Sequence, residues 1–177
     1  LQVEDDSNVI AYNNGWDNLR LIYKARQVFP GNLILVRPHP LSLFGPKDLH
    51  GRGLGIADNS GTAMEFISKC KRILTINSSV AFEAIATGKP TYILGESPLA
   101  GMAHRHFDRR VRDQMRAIPH LREKLEFYTL NYLIPMTLWL NPEYYRFRLS
   151  VPSEGEIRSR HLEAINMACR EHGGQNL

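Results

Sequence analysis

Two short stretches gather side chains suited to an anionic ligand. The first is Arg37-Pro38-His39-Pro40, directly after the apolar run Leu33-Ile34-Leu35-Val36. Prolines on both sides of His39 restrict the backbone and remove two N–H donors, which fixes where the imidazole points. A rigidly presented His beside Arg suits contact with a phosphate or a leaving group. The second is Asn77-Ser78-Ser79, between the apolar run Ile73 to Ile76 and a helical stretch to Ala86. Serines at a helix start either hold an anion against unpaired N–H groups and the helix dipole, or simply cap the helix. Glu83 is the only charge in the run Val80 to Ala86 and lies four residues after Ser79, outside capping-box spacing. One turn below a phosphate, such a carboxylate accepts the paired hydroxyls of a ribose. Asp5 and Asp6 beside Gln2 read most plainly as a solvated linker, and His104 with His106 lacks a third ligand, so no metal is expected.

These groups need a scaffold, and the chain alternates strand and helix signals. Asn8 to Tyr12 reads as a short β segment ended by Asn13-Asn14-Gly15. From Asp17, the positions Leu19, Ile22, Tyr23, Ala25 and Val28 follow helical spacing until Pro30-Gly31. Leu33 to Val36 is a continuous apolar strand of the kind parallel sheets bury. A loop rich in Gly, Pro and His runs from Pro40 to a short strand at Gly55–Asp58. Thr62 with Glu65 forms a capping box for a helix to about Cys70. Strand Ile73–Asn77, helix Ser79–Ala86 and strand Thr91–Leu94 follow, with Gly88 and Pro90 between the last two. The expected fold is α/β, a Rossmann-like doubly wound parallel sheet over residues 1–103 with the polar turns at the carboxyl ends of its strands.

Residues 104–177 have another character and read as a helical extension. Arg105, Arg109, Arg110, Arg112 and Arg116 stand against Asp108 and Asp113 on a solvated or membrane-facing surface. Ser153 with Glu156 is a second capping box, and Ile157, His161, Leu162, Ile165 and Ala168 share one face of the helix it opens.

Composition narrows the class. With 43% apolar and 23% charged residues, a chain of 177 residues can bury a core. A net charge of +4 suits small phosphorylated ligands and falls short of a dedicated nucleic-acid binder. Cys70 and Cys169 have neither disulfide-framework nor zinc spacing, which fits a reducing cytoplasm. The longest apolar stretch, Tyr128 to Leu140, is shorter than the roughly 20 residues of a membrane span and is broken by Pro135. The opening Leu1-Gln2-Val3 lacks an initiator Met and reads as part of a longer protein.

Gln2-Val3-Glu4-Asp5-Asp6-Ser7, the His-Pro turn, Thr75 to Ala84, Gly88-Lys89-Pro90 and Gly95 to Gly101 together resemble the bacterial capsule and O-antigen polysaccharide proteins that include retaining β-Kdo transferases. The resemblance covers about the first hundred residues. It implies the nucleotide-sugar-binding, C-terminal half of a GT-B-type glycosyltransferase, with an N-terminal Rossmann half as its partner. The implied donor is CMP-β-Kdo, with no cofactor or metal. The implied acceptor is a lipid-linked surface glycan, met at the inner face of the inner membrane. It assigns nucleotide binding to Arg37, His39, Asn77, Ser78, Ser79 and Glu83, and catalysis to Asp6 and His39, with Asp6 as the nucleophile. Glu96 to Gly101 lacks the aromatic residues expected in that loop. Two other readings use the same turns: a CDP-polyol phosphotransferase of teichoic-acid type, which needs no Asp6 nucleophile, and a non-catalytic nucleotide-binding module of a polysaccharide-assembly complex.

Overall fold

A computed structural model describes residues 1–42, 49, 52–107 and 117–173, with backbone only at 172 and 173. The acidic and arginine-rich positions Asp108, Arg109, Arg110, Arg112, Asp113 and Arg116 lie outside the described residues, as does most of the loop after Ser42. The chain divides into two compact units, Leu1–Pro119 and His120–Leu177. Residues 104 to 107, expected in the extension, belong to the first unit. His104 bridges to Tyr92 in parallel, and Phe107 packs edge-on to the Tyr92 ring at 4.9 Å.

In the first unit, α1 is Ser7–Tyr12, where the sequence suggested a strand. The Asp6 carboxylate caps it, accepting from the Asn8 N–H at 2.8 Å, and this local cap outweighs the β preference of Val9 and Ile10. α2 is Asn18–Val28, capped by Asp17, which accepts from the Arg20 N–H. Its buried stripe is Asn18, Leu21, Ile22, Ala25 and Val28. Tyr23, expected inside, is exposed, and the polar Asn18 takes a core position because both ends of its amide are satisfied. Its Nδ2 donates to the Gln2 carbonyl at 2.7 Å and its Oδ1 accepts from the Gln2 N–H at 3.1 Å.

The expected α/β character is present, with parallel pairing, but the strands are shorter than the apolar runs. β1 (Leu35–Val36) pairs with β2 (Ile56–Ala57), and β3 (Ile73–Thr75) pairs with β4 (Thr91–Ile93). Among the described residues these form two separate two-stranded sheets in place of one continuous sheet. α3 (Ala63–Lys69) leads from β2 to β3 and carries the expected capping box, with Thr62 Oγ1 accepting from the Glu65 N–H and Glu65 accepting from the Thr62 N–H. α4 (Val80–Ala86) joins β3 to β4. One core cluster joins α2 to Ile76, Tyr92, Leu94 and Phe107. Another joins Ile67 of α3, Ile73 of β3 and Ala84 of α4. Gly95 closes β4 against α1. A Cβ there would lie 2.6 Å from the Tyr12 carbonyl, so only glycine allows this approach.

The second unit contains α5 (Leu121–Phe127), α6 (Pro142–Leu149) and the long α7 (Glu154–Gly173). Asn141 caps α6, and the expected Ser153–Glu156 box opens α7, with Ser153 Oγ accepting from the Glu156 N–H at 3.3 Å and the Ser153 N–H donating back at 2.8 Å. On α7 the buried residues are His161 and Ala164, whereas Leu162 points outward. The core here is Leu138, Tyr144 and Ala164, and within it Tyr144 Oη lies 2.5 Å from His161 Nε2, both side chains fully buried. Arg148 Nη1 donates to the same tyrosine oxygen at 3.1 Å.

Candidate functional site

Three loops of the first unit meet where the strands end. The segment Leu1–Asp6, the turn Arg37–Pro40 after β1 and the turn Asn77–Ser79 after β3 all line one cleft of about 1400 Å³, joined by Glu96 and Ser97 after β4. Asp6, Arg37, His39, Asn77, Ser78 and Ser79 are therefore brought together. Glu83 is not among the lining residues. It is half-buried one turn into α4, and the structure does not bring it to the cleft.

The hydrogen bonds divide these residues into those occupied and those open to a ligand. The side chain of Asn77 is fully engaged. Its Oδ1 accepts from Gln2 Nε2 at 2.7 Å, and its Nδ2 donates to the carbonyls of Asn8 at 3.0 Å and Tyr12 at 3.3 Å. Its backbone N–H donates to Gln2 Oε1 at 3.0 Å. Asn77 thus latches α1 and the opening segment onto the end of β3, and the contact with a nucleotide expected of it has no free amide atom to use. Arg37 is committed in part, with two of its five guanidinium N–H groups used. Its guanidinium donates to the carbonyls of Ser60 at 3.3 Å and Gly61 at 2.8 Å and lies over the Phe66 ring, which ties the β1 end to the β2–α3 loop.

Of the two serines, Ser78 performs the cap. Its Oγ accepts from the Val80 N–H at 3.3 Å, while Ser79 makes no side-chain cap bond and is exposed at the mouth. His39 is also exposed, and its Nδ1 accepts from the Leu41 N–H at 3.1 Å. An Nδ1 that accepts requires the neutral ring to carry its proton on Nε2, so a hydrogen-bond donor is presented outward. Within the Pro-flanked turn, the Leu41 N–H thus holds the imidazole in one tautomer. Asp6 uses one carboxylate oxygen to cap α1 and stands exposed beside the cleft.

Sequence reasoning passed over Gln2, which holds the opening segment to β3, and Glu96, which lines the mouth. The signal for Glu96 was its place just beyond β4. Gln2 stood in the opening motif, but nothing local signalled its role, since its partner is 75 residues away. Beyond the cleft, Asp58 is held down to about 2 chiefly by its bond from Lys69, at 2.7 Å, and then by Ser60, an exposed arrangement that stiffens the loop Arg37 grips. Among the described residues, no three His, Cys, Asp or Glu side chains cluster as a metal site, and no helix is long and apolar enough to cross a membrane. No protein-family model matches the chain, and neither does any curated protein.

Proposed function

We propose that this chain is the donor-binding part of a retaining β-Kdo transferase of GT-B type that builds a bacterial surface polysaccharide, with a Rossmann-like sheet completed beyond the two strand pairs. The observation that carries the reading is the convergence of Asp6, His39, Ser78 and Ser79 on one cleft at the carboxyl ends of parallel strands. Ligands of open α/β sheets sit at that edge. In this reading the phosphate of CMP-β-Kdo lies against Ser79 and the backbone of the Ser78–Ser79 turn. The His39 Nε2–H donates to it as it departs. Asp6 then supplies the free carboxylate oxygen to the anomeric carbon as the bond from that carbon to the CMP oxygen breaks, with the electron pair leaving on the phosphate. An acceptor hydroxyl then displaces Asp6 from the same carbon, its proton passing to the released CMP phosphate and the bonding pair returning to the Asp6 carboxylate, so configuration is retained. Glu83, away from the cleft wall, is left out of the proposed contacts.

The first test is thermal stabilisation by nucleotides. Stabilisation by CMP well beyond that by UMP, GMP or CDP is expected. Equal responses to all four, or none, would remove the donor assignment. One observation favours the phosphotransferase alternative: the Asp6 carboxylate already caps α1, a role that needs no sugar chemistry. Asp6→Asn separates the two, since the amide oxygen keeps the cap. Loss of transfer with CMP binding retained supports the nucleophile; unchanged turnover supports the alternative.

A further inference from the structure

The cleft does not stop at the polar mouth. It continues inward as an apolar groove between β1 and β3, and its volume of about 1400 Å³ exceeds what a small-ligand pocket takes. The Leu74 side chain packs with the cluster built on α2, and that of Ile73 with the cluster built on α3 and α4. Successive side chains of a strand point to opposite faces, so helices cover both sides of the groove while its two long edges are strand backbone.

Those edges are set for pairing. The carbonyls of Ile34 and Val36 accept from the N–H groups of Ile56 and Asp58, each at 2.9 Å, so β1 spends alternate residues on β2 and turns the N–H and C=O of Leu35 to the groove. On β3, the Ile73 N–H donates to the Pro90 carbonyl and the Thr75 carbonyl accepts from Leu94, so Leu74 faces the groove in the same way. Among the described residues no strand pairs with either of these edges. Backbone groups so placed, between apolar walls, are costly to leave without partners.

Leu1 sits at the carboxyl end of this groove and already makes one rung of the missing ladder. Its terminal nitrogen donates to the Arg37 carbonyl at 2.6 Å, two residues beyond Leu35 on the groove edge of β1. Asn18 holds both backbone groups of Gln2, and the Gln2 side chain reaches the Asn77 N–H at the end of β3.

We infer that the groove is a strand site, taking one extended apolar segment of about five residues that runs parallel to β1 and β3 and leads directly into Leu1. It joins the two pairs into one parallel sheet in the order β2-β1-inserted strand-β3-β4, and it places the opening loop with Asp6 at the carboxyl end of a central strand. This stands on sheet geometry and does not depend on the donor.

The test compares the 177-residue chain with two extended forms, one carrying Val-Val-Ile-Leu-Val before Leu1 and one carrying Gly-Ser-Gly-Ser-Gly. The apolar extension is expected to slow amide exchange at Leu35 and Leu74 by about tenfold or more and to raise Tm by about 5 °C or more relative to the Gly-Ser form, which shares the loss of the Leu1 ammonium. Unaltered exchange at both amides overturns the inference, as does protection that appears only with concentration-dependent dimerisation, which would make a second copy the occupant. If the extended chain precipitates, the same five residues are supplied as a separate peptide. Protection of the same two amides then supports the strand site, and its absence overturns it.

Discussion

Each unit of the chain holds a polar cluster, and the two are built differently. In the first unit, Gln2, Asn18 and Asn77 spend their amides mainly on backbone groups and on one another, across separations of up to 75 residues, at the rim of a cleft. In the second, Tyr144 and His161 bond side chain to side chain inside a core, with Arg148 on the same hydroxyl. The first arrangement fixes loops and leaves other groups facing outward. The second fixes helices and presents nothing to a ligand. Polar burial alone is therefore a poor guide to a binding site, whereas the open neighbours of a satisfied cluster are a better one.

Trp16 and Trp139 give each unit its own fluorescence reporter, so the contrast can be broken one side at a time. The largest effect is expected from Tyr144→Ala, which empties a fully buried aromatic site and strands His161. It should cost about 3–5 kcal/mol in the transition followed by Trp139. A loss below 1 kcal/mol would mean that this core does not hold the second unit together.

Acidity should separate the units next. Leu1 has its amine lowered from 8.0 to about 6, so the unfolded chain binds more protons between those values and stability rises with pH across that window, by about 1.4 kcal/mol per unit and about 2–3 kcal/mol in all. His161 is lowered by burial from 6.5, so its contribution also rises with pH but is complete by about that value. Urea titrations between pH 6.5 and 8 should therefore show a gain at Trp16 with little change at Trp139. N-terminal acetylation should abolish the gain at Trp16. Parallel gains at both reporters would contradict the assignment.

The smallest of the three effects is expected from Asn77→Ala, which removes the latch but creates little cavity. About 2 kcal/mol should be lost at Trp16, with faster exchange at the Asn8 to Tyr12 amides. If Asn77 instead contacted a ligand, stability would hardly move while CMP-induced stabilisation disappeared, which sharpens the distinction between a latch and a binding group.

Much of the scaffold was legible because its signals are local. The Thr62–Glu65 and Ser153–Glu156 boxes, the apolar runs behind β1, β3 and β4, and the Pro-flanked turn at His39 all act within a few residues, and each lies where its residue types require. The failures share one cause. Asn8 to Tyr12 looked like a strand until the Asp6 cap was weighed, Tyr23 looked like an inside position of α2 although it is exposed, and Glu83 looked buried for a purpose when it was only half-buried beside a packed face.

From its sequence alone this protein was set as an α/β chain with parallel strands, capped helices and a rigid imidazole next to a strand end, since each of these follows from side-chain shape and backbone preference over one or two turns. Which polar atoms stay open was decided by tertiary structure. Asn77 and Ser79 are chemically similar candidates two positions apart, yet closure of the chain on Gln2, Asn8 and Tyr12 consumes the amide of one, while the hydroxyl of the other makes no cap bond. The break between the strand pairs belongs to the same level. Pairing between strands depends on which edges the packed helices bring together, and no window of sequence contains that information.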